Sequence, residues 1–186
     1  YVFVEGEFVE NPVQKWSDID PSLPDKKIEV LGPPPTSGTR DSFTELVIEK
    51  QCKAVLVEAG KELSADDEKK YCKSIREDGA YIEAGENDNL IVQKLQANPN
   101  ALGIFGYSFL EQNTSTIKAA TIDGVEPSFD SVSDGSYPIS RPLFIYVKKE
   151  HYETTPGLKE FVEEYQSEKA IGEDGYLVDK GLIPLP

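Results

Sequence analysis

The residues best suited to chemistry are Thr36-Ser37-Gly38-Thr39-Arg40-Asp41, between an apolar strand-like run (28–31) and a helix-patterned run. At such a junction the first backbone N–H groups of the helix lack intrahelical partners and the helix dipole is positive, which makes the junction a ready anion site. Gly38 allows close approach of the backbone. Ser37 and Thr39 add hydroxyl donors and Arg40 a bidentate fork, a set that suits a small tetrahedral oxyanion. The same residues also read as an ordinary Ser/Thr helix cap beside an Arg40–Asp41 surface pair. Taken alone they leave the two readings level.

Other chemistries find less support. A nucleotide P-loop needs four residues between its glycines, then Lys and Ser or Thr. Gly32 and Gly38 enclose five, three of them prolines without N–H groups, and no Lys follows. A Ser-His-acid triad would have to use His151, the single histidine, and no GxSxG elbow exists. Asp66-Asp67-Glu68 and Glu163-Glu164 read as solvated helix faces. Glu86-Asn87-Asp88-Asn89 lacks the 12-residue calcium pattern and reads as a helix cap or a contact at a cleft rim. Cys52 and Cys72 are not a CxxC pair, and with one distant His151 they cannot make a usual zinc site. They are either two buried thiols or, in an exported protein, a disulfide. No enzyme, cofactor or metal is expected.

Several elements must position the 36–41 segment. The run 1–9 reads as a strand and 11–27 as a Pro/Asp/Ser-rich connection in which Trp16 packs on the body. A helix is predicted from about Thr39 to Gln51, with Phe43, Leu46 and Val47 on its apolar face. Ser64 caps a second helix that ends at Gly79, and Asp88 caps a third that Asn98-Pro99-Asn100 terminates. Residues 102–109 and 117–122 read as strands, and the apolar 143–147 as a central strand covered on both faces. A last long helix follows Thr155, with Pro156 at its first position and Leu158, Phe161, Val162 and Tyr165 on one face. Alternating strand and helix signals indicate an α/β class.

The whole chain has 186 residues and a formal net charge of −15. That charge argues against nucleic acid and anionic membrane surfaces, which need clustered Lys and Arg. No apolar run approaches a membrane span of roughly 20 residues, so no membrane insertion is expected. The chain opens at Tyr1, inside a strand pattern and without Met, and reads as cut from something longer. An anion pocket in so acidic a protein must rely on dense, short-range donors.

The order of several motifs resembles the phosphate-binding protein of the bacterial phosphate ABC transporter, the PstS family of periplasmic binding proteins. These are Trp16-Ser17-Asp18-Ile19 with Pro21-Ser22-Leu23-Pro24, then Ser37-Gly38-Thr39, then Asn100-Ala101-Leu102-Gly103-Ile104-Phe105-Gly106-Tyr107. Tyr137-Pro138-Ile139 with residues 141–147, then Pro156-Gly157-Leu158 to Tyr165, Gly175-Tyr176-Leu177 and Leu182-Ile183-Pro184-Leu185 complete the series. The resemblance implies one lobe of a type II periplasmic-binding-protein fold, a mixed sheet flanked by helices with a C-terminal helical segment. It implies a second, ligand-binding lobe over 1–140, and over 141–186 a returning strand and helices that in the family pack on the first lobe. That N-terminal lobe is missing from the resemblance, so the apolar C-terminal face needs a cover: its own lobe, a second copy, or a separate N-terminal lobe.

The implied function is binding of inorganic phosphate by Ser37, Gly38, Thr39 and Arg40, with delivery to an ABC permease from a periplasmic or extracellular location. The alternative is a lobe for another oxyanion, or a sensor or interaction module. Where the family places an Arg four residues before the Ser of Ser-Gly-Thr, this chain has Pro33. Arg40 is expected to supply the guanidinium and Asp41 to orient it. Export also favours pairing of Cys52 with Cys72.

Overall fold

The computed structural model describes residues 1–184. Leu185, the last residue of one quoted motif, lies outside them. The chain divides into two compact units, Tyr1–Ile117 and Lys118–Pro186.

The first unit is built on a three-stranded parallel sheet of β3 (Val30–Gly32), β4 (Tyr81–Glu83) and β5 (Leu102–Gly103), in the order β4-β3-β5. The expected mixed sheet is thus wholly parallel. Antiparallel pairing belongs to a separate hairpin, β1 (Val2–Val4) and β2 (Glu7–Val9), where one strand was expected. The chain reverses there at Glu5 (φ 51°) and Gly6 (φ 90°), and Gly supplies the positive φ cheaply.

After β3 the chain enters a continuous helical run: α2 (Gly38–Phe43), a π-helical stretch (Thr44–Glu49) and α3 (Lys50–Ala59). It extends past the predicted end at Gln51, because nothing breaks it until Gly60 adopts the left-handed conformation at φ 62°. Ser64 caps α4 (Ala65–Cys72), accepting the Asp67 N–H. This helix ends at Cys72 rather than Gly79. A disulfide ties Cys72 to Cys52 on α3, with Cα atoms 5.4 Å apart. Glu49, Lys53, Glu68 and Lys73 form a charged cluster beside it.

Strand β4 has no counterpart in the sequence reading. Asn87 rather than Asp88 caps α5 (Asp88–Ala97), its side chain accepting from the Asn89 N–H. Leu31, Ala84 and Ile91 form the buried centre, with Ile82, Leu95, Ala101 and Phe105 packed around them. Gly103 is required here: a Cβ would lie 2.6 Å from Leu95 and 2.9 Å from Phe105. Of the predicted strand 102–109 only Leu102 and Gly103 pair. Beyond them Gly106 begins α6 (Tyr107–Glu111).

The earlier connection carries α1 (Trp16–Ile19), whose Trp16 is half-buried. Arg76 and Asp78, in the connection ahead of β4, hold this stretch: Arg76 donates to Asp78 and to the Val13 carbonyl, and Gln14 donates to Asp78.

Where the second unit begins, the predicted strand 117–122 is replaced by irregular chain and one bridge, Ile122 to Val125, across a turn at Asp123-Gly124. Helix α7 (Phe129–Ser133) is capped by Ser128. The apolar run 143–147 is not a central strand. It carries no regular structure, with Leu143 71% and Tyr146 90% exposed. Among the described residues no strand lies beside it, and a strand without a partner has no ladder to hold it. Helices α8 (Lys149–Tyr152), α9 (Leu158–Tyr165) and α10 (Glu168–Ile171) follow, then a 3₁₀ turn at Val178–Lys180. Gly157, at φ 80°, precedes α9, so Pro156 stands outside the helix. Phe161 of the predicted apolar face is exposed, while Leu158, Val162 and Tyr165 are partly covered.

Candidate functional site

All three parallel strands deliver their carboxyl ends to one edge, the edge where open α/β sheets present loops to ligands. From β3 the chain passes through 33–37 into α2, from β4 through 84–87 into α5, and from β5 through 104–106 into α6.

The 36–41 segment lies on the first of these connections. Ser37 is the N-cap of α2, extended at φ −90° and ψ 129°, and its Oγ accepts the Thr39 N–H at 3.2 Å. Gly38, Thr39 and Arg40 form the first helical turn. Gly38 is exposed at the helix start, with Ser37 and Thr39 beside it partly covered. The four candidate residues are therefore consecutive around one helix start.

Arg40 does not point into solvent. Its side chain, 17% exposed, turns back beneath the loop. Nη1 donates to the Pro33 carbonyl at 3.4 Å and to Glu83 Oε1 at 2.8 Å, and the guanidinium lies 5.0 Å from the centre of the Tyr81 ring. Tyr81 in turn donates its hydroxyl to the same Pro33 carbonyl at 2.7 Å. Burial raises the Tyr81 phenol above its ordinary value, and the neighbouring Arg40 charge opposes that shift. Gly32 makes the arrangement possible, since a Cβ there would meet the Tyr81 hydroxyl at 2.2 Å. The carboxylate on Arg40 is Glu83, 43 residues away in sequence, rather than the adjacent Asp41, whose side chain is exposed. The sequence reading missed Tyr81 and Glu83. Their only signal is the alternation of Tyr81, Ile82 and Glu83 between Gly79 and Gly85.

Two further acids stand on the same edge. Glu86 accepts the Thr36 hydroxyl. Asp88 accepts the Gly106 N–H at 3.3 Å. Partial burial raises the Asp88 carboxyl, and the Gly106 hydrogen bond pulls it back. Among the described residues no three His, Cys, Asp or Glu side chains converge as metal ligands, and no helix is long and apolar enough to cross a membrane.

Residues 5–169 match the family model described as the PBP superfamily domain. The chain is 32% identical over 152 residues to phosphate-binding protein PstS of Staphylococcus haemolyticus, covering 79% of this chain and 40% of that protein. It is 29% identical over 185 residues to the PstS of Staphylococcus saprophyticus, covering 97% and 48%. Protein SphX of Synechocystis is 31% identical over 182 residues, covering 95% and 46%. The chain thus spans less than half the length of these curated relatives.

Among solved structures, a possible phosphate binding protein from Planctomyces limnophilus superposes with a TM-score of 0.63 at 32% identity, covering 95% of this chain and 55% of that one. PstS from Borrelia burgdorferi shares the fold alone, with a TM-score of 0.60 at 16% identity over 94% of this chain and 58% of that one. The domain match spans both units and the parallel sheet agrees with it: the chain belongs to the PBP superfamily.

Proposed function

We propose that this chain is the ligand-binding lobe of a solute-binding protein for inorganic phosphate. Residues 1–140 form the lobe, and 141–186 are the segment that packs on a first lobe. The observation that carries the reading is the return of the Arg40 guanidinium to the Pro33 carbonyl, beside Ser37-Gly38-Thr39 at a helix start. A guanidinium beside Pro33, the position at which the PstS pattern has its arginine, supports this reading. Ser37 and Thr39 hydroxyls and the N–H groups of the first helical turn then surround the oxyanion, and charge-assisted hydrogen bonds of this kind are short and strong. The protein binds and releases phosphate without catalysis. It works outside the cytoplasmic membrane, in the periplasm or extracellular space, and hands phosphate to an ABC permease. A further lobe or a second copy completes the cleft.

Titration calorimetry of the full chain with phosphate, sulfate and a sugar phosphate tests the reading. Heat with phosphate that Ser37→Ala weakens supports it. A clear preference for sulfate or the sugar phosphate transfers the fold to another oxyanion, and no binding of any anion overturns it.

A further inference from the structure

Two side-chain donors at the proposed anion loop are already taken, Arg40 by the last residue of β4 and Thr36 by the connection that leaves it. Arg40 Nη1 bonds to Glu83 Oε1 at 2.8 Å, and the Thr36 hydroxyl donates to Glu86. The partners are 43 and 50 residues apart in sequence, so the two contacts come from tertiary packing and not from local turn formation.

Glu83 is not alone in aiming Arg40. The Pro33 carbonyl and the Tyr81 ring also hold the guanidinium, and Tyr81 is pinned to that carbonyl by its own hydroxyl. What Glu83 adds is negative charge against the guanidinium. Its side chain is 53% exposed, so it can leave at little desolvation cost. Glu86 is exposed as well.

We infer that Glu83 and Glu86 act as a built-in surrogate for the anion. Their carboxylates hold Arg40 and Thr36 and compete with incoming phosphate for the same donors. They set the affinity below what the donors alone would give, and they reject weakly interacting monovalent anions that cannot displace a carboxylate. The inference rests on the phosphate reading above and adds to it the residues that tune the site.

The test is calorimetric titration of the full chain with inorganic phosphate at fixed pH and ionic strength. The proteins are the unsubstituted chain, Glu83→Gln, Glu86→Gln, the double variant and Glu58→Gln. The last removes one exposed charge near the far end of α3. Glutamine keeps size and shape, and thermal melts check that each variant is folded.

Each single substitution at 83 or 86 is expected to tighten phosphate binding about fivefold, as for a unit charge removed at close range in a partly wet site. The double variant tightens it by about twentyfold or more, and Glu58→Gln leaves it unchanged. If the unsubstituted chain binds phosphate and the variants at 83 and 86 bind equally or more weakly, the surrogate role is wrong and the phosphate reading stands. An equal gain from Glu58→Gln also overturns it, since net charge would then be the cause. If neither the unsubstituted chain nor the double variant binds phosphate, both the reading and the surrogate role fall.

Discussion

Arg40 is the residue on which the proposed site turns. Its guanidinium is held by a carbonyl, a carboxylate and an aromatic face together, so its position is defined before any ligand arrives. Arg40→Ala is expected to weaken phosphate binding by about tenfold or more, because a charge-assisted hydrogen bond contributes roughly 1.5–3 kcal/mol. Arg40→Lys should recover only part of this, lacking the planar fork and the stack on Tyr81. Unchanged affinity for Arg40→Ala in calorimetry would remove Arg40 from the site. Gly32→Ala acts through Tyr81. The added methyl must displace the ring that supports both Pro33 and Arg40. A cost of about 1–3 kcal/mol in urea denaturation is expected, together with weaker phosphate binding. At this scale the sequence was half legible. Ser37, Gly38 and Thr39 could be read because a helix cap is local chemistry. Tyr81 and Glu83 could not, because their relation to Arg40 exists only once β4 lies beside β3.

Among the elements, the α3–α4 pair is stapled by the Cys52–Cys72 disulfide, which closes a sequence separation of 20. The double variant Cys52→Ala, Cys72→Ala is expected to lose about 3 kcal/mol of unfolding free energy, seen as a lower urea midpoint. An unchanged midpoint would mean that packing alone holds the pair. The connection 11–27 is held differently, by Arg76 and Asp78. Hydrogen bonding from Arg76 depresses the Asp78 carboxyl well below the usual carboxylate range, against the opposing effect of burial. A depressed native pKa means that the unfolded chain binds the proton more readily. The stabilisation from Asp78 is therefore complete above its unfolded pKa and is lost as pH falls below about 4. Asp78→Asn should lower stability at pH 7 and flatten the fall toward pH 3, as read from urea midpoints at the two values. A fall as steep as that of the unsubstituted chain would assign acid sensitivity elsewhere. The helices at 38–59, 65–72 and 88–97 were largely readable, since caps and periodicity are encoded within each segment. The strands were harder. Three residues of β4 or two of β5 carry too little pattern, and their pairing depends on β3.

For the whole molecule, the acidic charge and the exposed run 143–146 pull in opposite directions. The charge favours dispersion, while an exposed apolar segment favours pairing with another surface. Sedimentation velocity at rising concentration is expected to show association, and Phe144→Lys with Tyr146→Lys is expected to reduce it. A monomer at every concentration would show that charge prevails. The run 143–147 also shows most plainly where sequence and structure part. Composition alone marks it as a strand, yet a strand is a relation between two segments, and none of the described residues pairs with it.

What can be read along the chain alone is local: the α/β class, the helix caps, the anion-suited donors at 37–40, and the poor match to nucleic acid. Each rests on neighbours within a few residues or on summed charge. Packing settles which acids face those donors, that Arg40 folds back onto Pro33, and that β4 lies beside β3. The acid contacts and the strand pairing join residues more than forty positions apart, and they form only where packing of Leu31, Ala84 and Ile91 brings the strands together.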